Sequence, residues 1–173
     1  MEQLSIVTLK KYKDIAERIL HVPGNYRGGV LEMAVVVDKN IEKEALRSIL
    51  PQLLRALKQQ GNVFRNVRFN YVQWKAAGAE NQVCPMMVPM TEGFYEAYES
   101  CVEEKNFAGL VDYLKVFQAR AKLIILLTDQ NVTQWKGDET RRRMQPFLDK
   151  KMMVVQIHTT TQEQTVSIHY REF

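Results

Sequence analysis

Val30-Leu-Glu-Met-Ala-Val-Val-Val-Asp38 and Lys122-Leu-Ile-Ile-Leu-Leu-Thr-Asp129 are two apolar runs that each close on an aspartate. Runs this rich in Val, Ile and Leu match strands buried on both faces of a parallel sheet. In open α/β sheets, ligands bind in the crevice beyond the carboxyl ends of the strands, where both acids fall. Two carboxylates meeting there suit a hard cation or a cationic group on a partner.

Outward from these runs the chain alternates between strand and helix patterns. Before the first run, residues 5–21 place Ile6, Leu9, Ile15, Ile19 and Leu20 at mostly helical spacing, which predicts an amphipathic helix. Pro23-Gly24-Asn25 and Gly28-Gly29 then stop it. After the first run, Ile41, Ala45, Leu46, Ile49, Leu53, Leu54 and Leu57 mark one face of a helix over 41–60, with Gly61 as its stop. Pro51 predicts a kink there or a division into two shorter helices.

Residues 67–74 alternate apolar and polar and predict a strand. A turn over 76–81 and a short strand over 83–88, placed at an edge by Pro85, complete a hairpin. Helices are expected over 92–104 and 106–118, a strand over 123–128, a long loop over 131–140 and a helix over 141–150. Residues 152–158 predict a further buried strand, and 165–171 a terminal one. The six polar residues 159–164 are too few for a parallel crossover, which needs about a dozen or more, so the last strand is expected antiparallel. The whole reads as one α/β domain over residues 1–173. It is a doubly wound, mostly parallel sheet with helices on both faces and antiparallel edge strands, and 1–28 form an N-terminal helical extension.

Bulk composition agrees. The chain has 173 residues, 46% of them hydrophobic and 25% charged, an ordinary balance for a globular domain with a sizeable core. A net charge of +4 falls short of the concentrated basic surface of a dedicated nucleic-acid binder. The N-terminal stretch does not read as a signal peptide, and no run approaches the roughly 18 apolar residues of a membrane span. Cys84 and Cys101 are too few for a disulfide scaffold or a cysteine zinc site, so reduced thiols in a cytoplasmic protein are expected.

Val35-Val-Val-Asp38, Met90-Thr91-Glu92-Gly93-Phe94-Tyr95-Glu96-Ala97 and Ile125-Leu-Leu-Thr-Asp129, in this order, resemble the von Willebrand factor A-type domain, also seen as the inserted domain of integrins. The resemblance covers the chain from Gly29 onward. It implies a Rossmann-like architecture whose upper loops build a metal-ion-dependent adhesion site. That site takes an Asp-x-Ser-x-Ser run, a Thr opening a later helix, and an Asp after the fourth strand. It holds a divalent cation, commonly Mg2+, completed by a carboxylate of a protein partner. Magnesium wants six oxygens, which short hydroxyls and carboxylates supply without crowding. Asp38, Thr91 and Asp129 match three of these positions. Asn40 and Glu42 stand where the serines belong; Asn40 retains an amide oxygen, whereas Glu42 is longer and charged. The resemblance thus implies a degenerate metal site of Asp38, Asn40, Thr91 and Asp129 on a module that binds partners with or without the ion.

Plainer roles compete for the same residues. An Asp at a strand end caps the next helix or bonds within its own turn, and Thr91 is a good helix N-cap. Arg141-Arg142-Arg143 reads as a solvated helix face without flanking aromatics for stacking on bases. Met86, Met87 and Met90 fill a core edge or, if exposed, form an adaptable apolar contact surface. Trp74 and Trp135 read as partly buried, Trp135 in a loop beside the candidate site. His21, His158 and His169 lack ligand spacing, and neither cysteine sits in a nucleophile motif. Two functions follow. The first is a non-catalytic protein-binding module that works through the loops at the carboxyl end of the sheet. The alternative is a magnesium-dependent phosphate-handling enzyme using Asp38 and Asp129, although Lys39-Asn40 follows the first acid where a second carboxylate is wanted.

Overall fold

Strand β1 (Leu31–Asp38) lies in the middle of a six-stranded sheet and is buried from Met33 to its end. In the computed structural model, which describes residues 31–58, 67–75, 78–101, 110, 112–115, 123–131, 142, 152–159 and 164–169, β1 pairs parallel with β2 (Val67–Lys75) and with β4 (Leu123–Thr128). Beyond β4 runs β5 (Met152–Thr159), also parallel. The edges are antiparallel: β3 (Gly78–Val83) on β2 and β6 (Gln164–His169) on β5, giving the order β3-β2-β1-β4-β5-β6. The antiparallel last strand follows from its short connection, with Thr159 paired to Gln164.

The apolar runs are unbroken because both faces of the sheet are covered. Met33, Val35 and Val37 point to one side, where Phe69, Tyr71, Ile125 and Leu127 join them. Helix α1 (Lys43–Lys58) lays Leu46, Ile49, Leu50, Leu53, Leu54 and Leu57 on that face. Each such side chain contributes about 1.5–3 kcal/mol by leaving water. Ala34 and Val36 point to the other side, with Val72, Trp74, Ile124, Leu126, Met152 and Val154. There they meet Leu110 and Leu114 of a helical stretch. Trp74 is fully buried, more deeply than its sequence context indicates.

Two local expectations are corrected, and a third is narrowed. Helix α1 runs through Pro51 as one element, which leaves the kink and removes the division into two helices; Glu44 lies in its first turn and Arg55 and Lys58 in its last, matching the helix dipole. The second hairpin strand is 78–83, where a turn was expected, because Lys75 pairs with Gly78 across a two-residue connection. The helix expected over 92–104 ends early: α2 is Glu92–Glu96. Beyond it the Tyr98 hydroxyl donates to the Ile41 carbonyl (2.6 Å) and the Cys101 amide to the Lys39 carbonyl (2.7 Å). These tertiary bonds draw the chain off the helical path and over the end of the sheet. The N-terminal helix, the bulk of the 131–140 loop with Trp135, and the 141–150 helix apart from Arg142 lie outside the described residues. Among the described residues no helix is long and apolar enough to cross a membrane.

Candidate functional site at the carboxyl ends of β1 and β4

The chain leaves β1 for β2 on one side and later returns to β4 on the other, so the carboxyl ends of β1 and β4 flank the crevice where such sheets bind ligands. Asp38 closes β1 there with 0% exposure. A buried carboxylate requires donors, and this one has them. Its Oδ1 accepts the Asn40 backbone N–H (2.9 Å), and its Oδ2 accepts the Thr128 hydroxyl (2.8 Å) and the Gln130 side-chain amide (2.9 Å). The Asn40 bond closes an Asx turn, reinforced by Ile41 N–H donating to the Asp38 carbonyl (3.0 Å). A matching turn ends β4, where the Gln130 N–H donates to Thr128 Oγ1 (3.1 Å). One carboxylate thereby ties the ends of two central strands together.

Register explains the pairing. Val37 lies opposite Leu127, so the next position sets Asp38 beside Thr128. Asp38 also faces Trp74, Thr128 faces Gln156, and Gln156 faces Ser167. These side chains form one row across the sheet, on the face away from α1. Thr128 and Gln156 are buried polar groups.

Around this row, Lys39 donates its amide to the Trp74 carbonyl (3.1 Å) and sets its ammonium 4.3 Å from the centre of the Tyr98 ring, a cation–π contact. Burial pushes the Tyr98 phenol upward in pKa, and the negative fields of Tyr71, Asp38 and Asp129 add to the rise. Both aspartates therefore act on the same ring and share one end of the molecule.

The sequence-derived set is placed as follows. Asp38 and Asp129 come to the carboxyl end, Asp38 buried and Asp129 exposed. Asn40 reaches Asp38 through its backbone N–H. Thr91 is exposed at the N-cap position of α2, but its hydroxyl turns back to the Val88 carbonyl (2.7 Å), so the expected cap bond is not made. Glu42 is exposed. Thr128, Gln130, Tyr98 and Trp74 belong to the site although none occupies a ligand position of the sequence motifs. The strand period of two marks Thr128, the residue that shares the face of Asp38; nothing in the sequence marks Gln130.

A divalent ion at Asp38 would compete with three hydrogen bonds from neutral donors that already occupy both oxygens. Lys39 adds a positive charge beside the site. This donor set is a poor fit for a resident hard cation. No family model matches the chain, and no curated protein matches it.

Proposed function

We propose that this chain is a von Willebrand A-like, doubly wound domain acting as a protein-binding module, and that it works without a resident cation. The observation that carries this reading is the bonding of Asp38. Its carboxylate fixes the ends of β1 and β4 through Asn40, Thr128 and Gln130, the work a bound ion would otherwise do. The rim so fixed presents Asp129, Asn131, Glu99 and Ser100 to solvent as contact groups. The sheet order, the antiparallel β3 edge, and cover on both faces from α1 and the helical residues 110 and 112–115 support the architecture. Two cysteines, Cys84 and Cys101, held as thiols, support a reducing, cytoplasmic setting.

A photo-reactive side chain placed at Asn131 tests the reading in the cells of origin. One cross-linked partner should appear, persist under chelation, and vanish in Asp129→Arg. Loss of the cross-link on chelation restores a metal-bridged mechanism through Asp38 and Asp129, and indifference to Asp129→Arg removes the rim as the binding surface.

A further inference from the structure

We infer that the turn over residues 85–90 and the acids that follow it form a docking ridge for a basic amphipathic segment of a partner protein. The inference rests on the binding-module reading and gives that partner its chemistry. Met87 (61% exposed) and Val88 (37%) are the large hydrophobic side chains that stand exposed among the described residues, and they are adjacent. Their neighbours Met86 and Pro89 turn inward.

The turn is firmly held. Val88 N–H donates to Pro85, Met90 N–H to Met87 and Thr91 N–H to Val88, each at 3.0 Å, and the Tyr95 hydroxyl donates to the Pro89 carbonyl. The two apolar tips are thus presented on a preorganised support, which spares a partner the entropy of ordering a loop. Methionine adds a polarizable, adaptable surface.

Charge selects the partner. Glu96 and Glu99 are exposed and join no ion pair among the described residues. Glu92 lies 3.9 Å from Arg47, a guanidinium already engaged by Glu44. Glu92, Glu96 and Glu99, all exposed, follow the apolar pair within eleven residues of chain, and this local acidity, on a chain that is net positive elsewhere, matches a segment with apolar anchors next to Lys or Arg.

The test uses the full chain and a fluorescent, helix-forming peptide of Leu and Lys, read by anisotropy against a twin carrying Glu in place of Lys. The Lys peptide should bind. Met87→Asp should weaken it about tenfold, and the pair Glu96→Lys with Glu99→Lys about threefold. Met87→Ser, milder on the fold, should weaken it in the same direction. Equal binding of both peptides, or unchanged binding by the variants, overturns the ridge. So does a wild-type dimer in sedimentation that Met87→Asp dissolves, since a second copy is then the occupant. Probe binding tightened tenfold or more by Lys10→Glu with Lys11→Glu and Lys13→Glu also overturns it, in favour of this chain's own residues 5–21. If Met87→Asp and Met87→Ser lose the peptide yet keep the partner cross-linked at Asn131, the ridge falls and the rim reading stands. If Asp129→Arg leaves both the peptide and the cross-link in place, the rim falls and the ridge stands.

Discussion

Asp38 and Asp129 end two strands of nearly the same apolar composition, yet one is sealed inside the molecule and the other faces solvent. The difference is one residue of register. β1 includes its aspartate, whereas β4 stops at Thr128 and leaves Asp129 one step beyond. Because side chains alternate across a sheet, that step exchanges carboxylate for hydroxyl on the shared face. The hydroxyl then donates to the carboxylate, where two aspartates side by side would repel. Two similar motifs therefore perform opposite tasks: Asp38 holds the rim together, and Asp129 is displayed on it.

Removing each acid is the hardest test of that contrast. Asp38→Ala strands the Thr128 hydroxyl, the Gln130 amide and the Asn40 N–H in or near the interior, and should cost about 4 kcal/mol in urea unfolding. Asp129→Ala, at an exposed position, should stay within about 0.5 kcal/mol. Equal losses would break the comparison. Thr128→Val keeps the side-chain shape and deletes one donor to a charged acceptor, so a loss of about 2 kcal/mol is expected. Gln130→Ala should cost less, because its bond is only partly buried.

The same contrast shows what a sequence can reveal. Strands β1, β4 and β5 are legible because their central residues are buried on both faces and each carries an unbroken apolar run of Val, Ile, Leu, Met or Ala. Helix α1 is legible from its stripe, and the antiparallel β6 from its short connection. Strand β3 escapes notice because Gly78-Ala-Glu-Asn-Gln-Val83 has little intrinsic strand preference; its backbone ladder to β2 carries it. The early end of α2 is decided by bonds from Tyr98 and Cys101 to residues some sixty positions earlier, which no local pattern encodes. At the site, Asp38 and Asp129 were legible as residues, but not their division of labour. That division depends on where β4 stops, and strand boundaries are the part of a pattern that sequence defines least well.

A smaller effect separates the two faces of the sheet by pH. Tyr71, Tyr95 and Tyr98 all lie on the α1 side, and burial raises each phenol above the ordinary 10.0. The folded state thus keeps these protons after the unfolded chain has released them. Their contribution to stability is complete below pH 10.0 and declines as the pH rises through the folded values. Each phenol supplies at most about 1.4 kcal/mol per pH unit in that window. Urea midpoints should therefore fall steadily above pH 10, and Tyr98→Phe should flatten the decline. Thr128→Val, on the opposite face, should shift the midpoints downward without changing their slope. A slope altered by Thr128→Val would mean that the two faces titrate as one unit.

The smallest expected effect is the most discriminating about buried polar groups. Tyr98 and Tyr71 are both buried phenols on that face, but their hydroxyls differ in kind. Tyr98 donates to the Ile41 carbonyl, so Tyr98→Phe orphans that acceptor and should cost about 1 kcal/mol near neutral pH. Among the described residues the Tyr71 hydroxyl is buried without a hydrogen-bond partner; Gln73 stands close enough to ease its pKa rise slightly, but outside bonding geometry. Its ring still packs edge-to-face on Phe94 at 4.9 Å between centroids, a contact that phenylalanine preserves. Tyr71→Phe removes only an unsatisfied oxygen and should leave stability unchanged or raise it by up to about 1 kcal/mol. A loss from Tyr71→Phe comparable to that from Tyr98→Phe would show that the Tyr71 hydroxyl has a partner in solution, a bound water being the simplest. The two tyrosines would then no longer contrast as the two aspartates do, since in both pairs bonding partners, not residue type or depth, set what the polar group contributes.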